Sequence, residues 1–165
     1  MPESYSVQVT KDYLTFSAAH FITFDGNICE RLHGHNYKVA VDVNGLLDEN
    51  HYVIDFIALR DNLKAITDGL DHRMLLPTQH DAIKVTENTD EKSVEATFED
   101  RRWVFPREDC ILLPIPNTTT ELLARHIGLE LLERLKSAKI QLPQSMVVAV
   151  DENDGQWGRW HWSEP

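Results

Sequence analysis

The 165 residues carry a formal net charge of −11 and 42% apolar content, a length that suits one domain over residues 1–165 with enough apolar side chains to fill a core. That charge speaks against nucleic acid as a partner, because such binders need a basic face to displace counterions from phosphates, while a local Arg or Lys cluster can still take an anionic small molecule. No run approaches the roughly 18 apolar residues of a membrane span, the start Met1-Pro2-Glu3-Ser4 lacks a signal-peptide pattern, and two cysteines, Cys29 and Cys110, make neither a disulfide scaffold nor a thiolate zinc site, so the expectation is a cytoplasmic protein with reduced cysteines and no membrane partner.

Along the chain, Tyr5, Val7 and Val9 alternate with polar residues, as do Leu14, Phe16, Ala18 and His20, which predicts one long or bent strand. A loop from Thr23 to Arg31, carrying Gly26 and Asn27, leads to His33, His35, Tyr37, Val39, Val41 and Val43 on one face of a second strand that ends at Asn44-Gly45. After Asp55 the period changes. Phe56, Leu59, Leu63 and Ile66 fall three or four apart, as on the buried stripe of a helix ending near Gly69. The segment 77–117 is long for a connection without structure of its own, and Ile83 to Thr86, Val94 to Phe98 and Arg102 to Phe105 are strand-like, so an extra hairpin is expected there. Thr118-Thr119-Thr120-Glu121 has the pattern of a capping box, followed by Leu123, Ile127, Leu131 and Leu135 in helical register to about Ser137. Met146 to Val150 and Trp157 to Trp162, separated by the turn Asn153-Asp154-Gly155, predict a closing hairpin. There is no internal repeat or low-complexity linker.

His33-Gly34-His35 is the richest local signal. In an extended segment residues two apart project from one face, so both imidazoles can grip one ion while Gly34 permits a close approach. If the strand ending at His20 lies alongside, three imidazoles leave a divalent zinc with its charge and an open position, as at catalytic rather than structural zinc sites. One His-x-His pair among eight histidines is unremarkable by itself. His51, His80, His126 and His161 have no convergent partners, and His126 falls on the helical stripe as a half-buried structural residue. Imidazoles also suit iron, nickel or copper.

Taken in order, Phe16-Ser17-Ala18-Ala19-His20, Cys29-Glu30-Arg31-Leu32-His33-Gly34-His35-Asn36-Tyr37, Leu70-Asp71-His72, Thr119-Thr120-Glu121 and a late Glu152 resemble the 6-pyruvoyl-tetrahydropterin synthase and 6-carboxytetrahydropterin synthase family over nearly the whole chain outside the insertion. The resemblance implies an α+β tunnelling fold (T-fold): a four-stranded antiparallel sheet with two helices on one face, in β-β-α-α-β-β order. It also implies homo-oligomers, commonly hexamers of two stacked trimers, in which neighbouring copies cover open sheet edges. The implied substrate is 7,8-dihydroneopterin triphosphate. His20, His33 and His35 would hold Zn2+, Cys29 would be the general base, Asp71 and His72 the proton-relaying pair, and Glu152, Thr119 and Thr120 the pterin-binding set.

Within that family, Cys four residues before His-Gly-His marks the 6-carboxytetrahydropterin synthases of the queuosine pathway, and Cys29 satisfies it. Glu three residues before marks a folate-linked branch releasing 6-hydroxymethyl-dihydropterin, and Glu30 satisfies that too. Neighbours in an extended chain point oppositely, so both facing inward requires a turn. The expectation is that Cys29 is the principal base and Glu30 permits a second product, with 6-pyruvoyl-tetrahydropterin synthesis as a further alternative. Arg101, Arg102 and Arg107 of the insertion are candidate triphosphate ligands. Two readings from other classes stay open: a zinc-stabilised pterin-binding module without turnover, and a metal-dependent hydrolase using Glu30.

Overall fold

The computed structural model describes residues 3–26, 28–88 and 92–164; Asn27, in the first predicted loop, lies outside them. In chain order the elements are β1 (Tyr5–His20), the short pair β2 (Thr23–Phe24) and β3 (Ile28–Cys29), β4 (His33–Gly45), α1 (Phe56–Leu70), β5 (Arg73–Pro77), β6 (Lys84–Glu87), β7 (Ser93–Phe98), β8 (Arg101–Pro106), β9 (Cys110–Leu113), α2 (Thr120–Ser137), β10 (Ser145–Asp151) and β11 (Trp157–Ser163). Removing the short pair and the elements between the helices leaves the expected β-β-α-α-β-β order.

β1 is bent because its two alternating halves are out of phase. Val9 is buried from the first half and Leu14, Phe16, Ala18 and His20 from the second, an odd separation that a regular strand turns to opposite faces. The pairing with β4 absorbs the mismatch: from Thr10↔Ala40 to Thr15↔Lys38, β1 takes five steps and β4 takes two. This is a bulge of the kind that re-aims a strand.

Helix α1 starts where Asp55 accepts a bond from the Ile57 backbone N–H at 2.8 Å, satisfying one of the donors a helix start leaves open. Leu59, Leu63, Ile66 and Leu70 are its buried stripe. Phe56, expected on that stripe, is 56% exposed, at the helix's first position beside Gln8 to Lys11 of β1. The stripe of α2 is buried as expected through Leu123, Ile127, Leu131 and Leu135. Its capping box does not form: Thr119 is the N-cap without a side-chain bond, and the Thr118 hydroxyl donates to the Phe21 carbonyl at 3.3 Å.

The sheet differs from the expected four antiparallel strands. It has six, in the order β11-β10-β4-β1-β5-β9, and β5 pairs in parallel with β1 and with β9. β5 carries apolar residues on both faces. Leu75 joins the core under the two helices, while Met74 and Leu76 join a second core with Phe21, Ile83, Val94, Ala96, Phe98 and Cys110. A strand covered on both sides reads as a continuous apolar run. The second core has its own roof. The insertion forms a three-stranded antiparallel sheet, β6-β7-β8, one strand more than a hairpin.

Helix α2 lies close on β11: a Cβ added to Gly128 would come within 2.3 Å of the Trp160 ring. Gly128→Ala is therefore expected to destabilise the protein by about 1–3 kcal/mol, the usual range for overpacking, although alanine is the better helix former. A thermal melt checks this, and an unchanged midpoint would show that the helix can lift off the sheet without cost.

Candidate metal centre and active site

The register of β1 with β4 builds the centre. His20 ends β1 directly opposite His33, and His35 lies opposite Ala18, two residues along on the same face. The ligand atoms of His20, His33 and His35 all lie within 4.8 Å of one another. Gly34 lets the two strands approach closely between the β4 histidines, since a Cβ there would lie a tight 3.2 Å from the Ala18 carbonyl oxygen.

Hydrogen bonds set the tautomers. The His20 Nδ1–H donates to the Thr118 carbonyl at 3.0 Å and the His33 Nδ1–H to the Arg31 carbonyl at 2.8 Å, which leaves each Nε2 with a lone pair. Those lone pairs meet carboxylates: Glu152 Oε1 lies 3.3 Å from His20 Nε2 and 3.6 Å from His35 Nε2, and Glu30 Oε2 lies 3.8 Å from His33 Nε2. Acceptors facing acceptors repel unless positive charge sits among them. Three imidazoles and two carboxylates therefore fit a divalent cation, and an all-imidazole set with carboxylates beside it suits zinc.

Burial pushes the His20 imidazole down to about 4, with the Thr118 bond opposing and His33 and His35 adding to the fall. It is thus neutral and ready to ligate at physiological pH. The sign for stability follows. Between the ordinary value of 6.5 and about 4, the unfolded chain binds the proton and the folded one does not. Metal-free protein should therefore lose on the order of 3 kcal/mol as the pH falls through that window, with no such loss above it. Chemical denaturation of metal-stripped protein at stepped pH measures this. A flat profile between pH 7 and 4 would rule it out.

Cys29 and Glu30 diverge, as adjacent residues in extended chain should. Partly buried Cys29 packs against the second core, and its thiol donates to the Glu30 carbonyl at 3.5 Å. Burial pushes that thiol up, with Arg101 pulling it back and Glu30 and Glu99 adding to the rise, so it is not held as a thiolate. Of the pair, Glu30 reaches the imidazoles. The Tyr37 hydroxyl, 3.2 Å from His20 Nε2, is raised by burial and then by Glu152 and Glu30; it stays protonated. Tyr37 stacks on Phe16 with 4.7 Å between ring centroids, which fixes its position.

Asp71 and His72 form a pair, with Asp71 Oδ2 at 2.7 Å from His72 Nδ1. The parallel entry of β5 beside β1 puts it there: the Ser17 backbone N–H donates to Asp71 Oδ1 at 2.7 Å, and the His72 N–H to the Ser17 carbonyl at 2.7 Å. The Ser17 bond holds the Asp71 carboxyl below its usual range; burial opposes it, and His72 adds to the fall. Ser17 is three residues from His20, hence on the other face of β1. His72 borders a cleft of about 640 Å³ that is also lined by Ser17, Gly34, His35, Asn36 and Arg73. Asp71 and His72 are thus bonded to each other and to Ser17 rather than to the three imidazoles, with His72 and His35 bordering one cleft.

The remaining expected residues fall as follows. Thr119 and Thr120 sit at the start of α2, immediately after Thr118, and the Thr120 hydroxyl donates to Glu121 at 3.3 Å. The three insertion arginines are engaged within the chain rather than grouped: Arg101 with the carbonyls of Cys29 and Glu30, Arg102 with Glu95 and Arg107 with Glu87. Sequence reasoning missed two residues of the centre. Fully buried Thr118 was absorbed by the capping pattern, whereas Tyr37 carried a readable signal, the alternation His33, His35, Tyr37. Among the described residues, no helix is long and apolar enough to cross a membrane.

A Methanocaldococcus jannaschii protein provisionally named 6-carboxy-5,6,7,8-tetrahydropterin synthase is 36% identical over 144 residues, 87% of this chain and 86% of its own length. Among solved structures, a Plasmodium vivax 6-pyruvoyltetrahydropterin synthase whose catalytic glutamate is replaced by alanine matches with a TM-score of 0.88 and 31% identity, over 99% of this chain and 100% of its own. The Plasmodium falciparum 6-pyruvoyl tetrahydropterin synthase matches with a TM-score of 0.87 and 32% identity, over the same shares. Both carry the T-fold architecture onto this six-stranded sheet. With residues 8–161 matching the family model described as 6-pyruvoyl tetrahydropterin synthase, the chain belongs to that family of pterin synthases.

Proposed function

We propose that the chain is a zinc-dependent synthase that converts 7,8-dihydroneopterin triphosphate and one water to 6-carboxy-5,6,7,8-tetrahydropterin, releasing triphosphate and acetaldehyde. The carrying observation is the convergence of three imidazoles with the carboxylates of Glu30 and Glu152. The name borne by the M. jannaschii relative supports the carboxy product. Zinc bound by His20, His33 and His35 would supply Lewis acidity toward the substrate's side-chain hydroxyls, easing loss of the neighbouring carbon-bound proton. Glu30 takes that proton, Cys29 lines the same loop, and Glu152 with Thr119 and Thr120 anchors the pterin amino group and ring N–H. Asp71 holds His72 with Nδ1 inward, so that Nε2 faces outward to relay a proton.

A second product, 6-hydroxymethyl-dihydropterin, is favoured by one observation: Glu30 rather than Cys29 reaches the imidazoles. The catalytic glutamate of the P. vivax protein is in keeping with a carboxylate in that role.

The working form is a homo-oligomer, a trimer or hexamer. Asp71 and His72 bond to each other and to Ser17 rather than to their own chain's imidazoles, and serve the centre of a neighbouring copy. The edges support this: β9 and β11 are terminal strands, and β1 pairs with β5 only at Ala18 and Ala19, which leaves its earlier residues open on that side to another copy. Mass spectrometry of the products from zinc-loaded protein and dihydroneopterin triphosphate tests the function. A carboxypterin as main product, with hydroxymethylpterin beside it, is expected. A pyruvoyl product would reassign the branch, and intact substrate would leave a non-catalytic pterin-binding module.

A further inference from the structure

Arg101 is the first residue of β8, in the insertion, yet its side chain ends at the metal-site loop. Its Nη1 donates to the Cys29 carbonyl at 2.7 Å and its Nη2 to the Glu30 carbonyl at 3.0 Å. From the other side the Glu30 N–H donates to the Ile22 carbonyl at 2.8 Å. Two successive carbonyls and the intervening N–H are thus fixed, so the peptide units flanking Glu30 cannot turn without breaking charge-assisted bonds. The direction of a Cβ follows from its backbone; holding these groups holds the Cys29 thiol toward the second core and the Glu30 carboxylate toward the imidazoles. The grip itself is braced. The guanidinium lies 4.7 Å from the centroid of Trp103, and Trp103 stacks at 4.5 Å on Phe21, the residue after the metal-site His20. The insertion is therefore tied to the metal strand and to the Cys29–Glu30 loop at once.

We propose that Arg101 is a positioning residue which, by gripping the backbone of Cys29 and Glu30, decides which of the two side chains meets the substrate and so sets the ratio of products. The proposal rests on the reading of the site as a pterin synthase. A lysine keeps the charge but cannot fork to two carbonyls, so Arg101→Lys separates grip from charge. Arg102, the next residue, points the other way to Glu95 and serves as the control.

The test compares wild type with Arg101→Ala, Arg101→Lys and Arg102→Ala, measuring the carboxy-to-hydroxymethyl product ratio, zinc content, KM and amide exchange at Glu30. Both Arg101 variants should retain zinc and KM, shift the ratio toward the carboxy product, and exchange the Glu30 amide about tenfold faster. Arg102→Ala should match wild type. A merely structural contact would loosen the amide without moving the ratio, and that result overturns the proposal, as does full recovery by lysine. If wild type makes no pterin at all, the functional reading falls together with product selection, and unchanged Glu30 exchange in Arg101→Ala would then remove the grip as well.

Discussion

Glu30→Gln is expected to lower pterin formation by roughly 10²–10⁴-fold, the range typical of removing a positioned general base, with zinc content intact. The amide keeps the size of the side chain and its place 3.8 Å from His33 Nε2 but cannot accept a proton. Cys29→Ala should act differently. Its thiol is bonded to the loop's own carbonyl and pushed up by burial, so its loss should lower turnover less and move the product ratio. Steady-state rates and product analysis on both variants decide the matter. If Cys29→Ala is the silent partner in both rate and ratio, the thiol is packing; if it is the more damaging of the two, the loop must turn over when substrate binds, and the base is Cys29.

The second large effect concerns subunits. His72→Ala should abolish turnover without loss of metal, because His72 is bonded to Asp71 and is not one of the three clustered imidazoles. If each catalytic centre combines one copy's imidazoles and Glu30 with a neighbour's Asp71 and His72, two dead variants should complement. In an equal mixture of Glu30→Gln and His72→Ala chains, randomly assembled, about a quarter of the sites receive an intact copy of each part and regain activity. Co-refolded mixtures that stay as inactive as either parent would show that the pair works within its own subunit or not at all.

How far these expectations could be read without coordinates varies by element. The long strands and both helices were legible because their burial is one-sided, so apolar residues recur at the period of the element: Leu14, Phe16 and Ala18 on a strand, Leu123, Ile127 and Leu131 on a helix. The strand at 73–77 was not, because Leu75 faces one core and Met74 and Leu76 another, which erases alternation. The convergence of His20, His33 and His35 was legible from spacing and from the prediction of two adjacent strands. Thr118 was not, since a threonine three residues before a glutamate at a helix start reads as a cap, and only its contact with His20 shows otherwise.

Local order in the chain thus determined what depends on neighbours two to four positions away: strand faces, helix stripes, and the presence of His33 and His35 on one side of a strand. Tertiary structure alone decided which of Cys29 and Glu30 turns to the imidazoles, that Asp71 and His72 pair beside Ser17, and that Arg101 reaches the loop from 71 residues away. Those outcomes depend on contacts between distant segments. Their geometry is set by strand register and the packing of two cores, and no local periodicity records either.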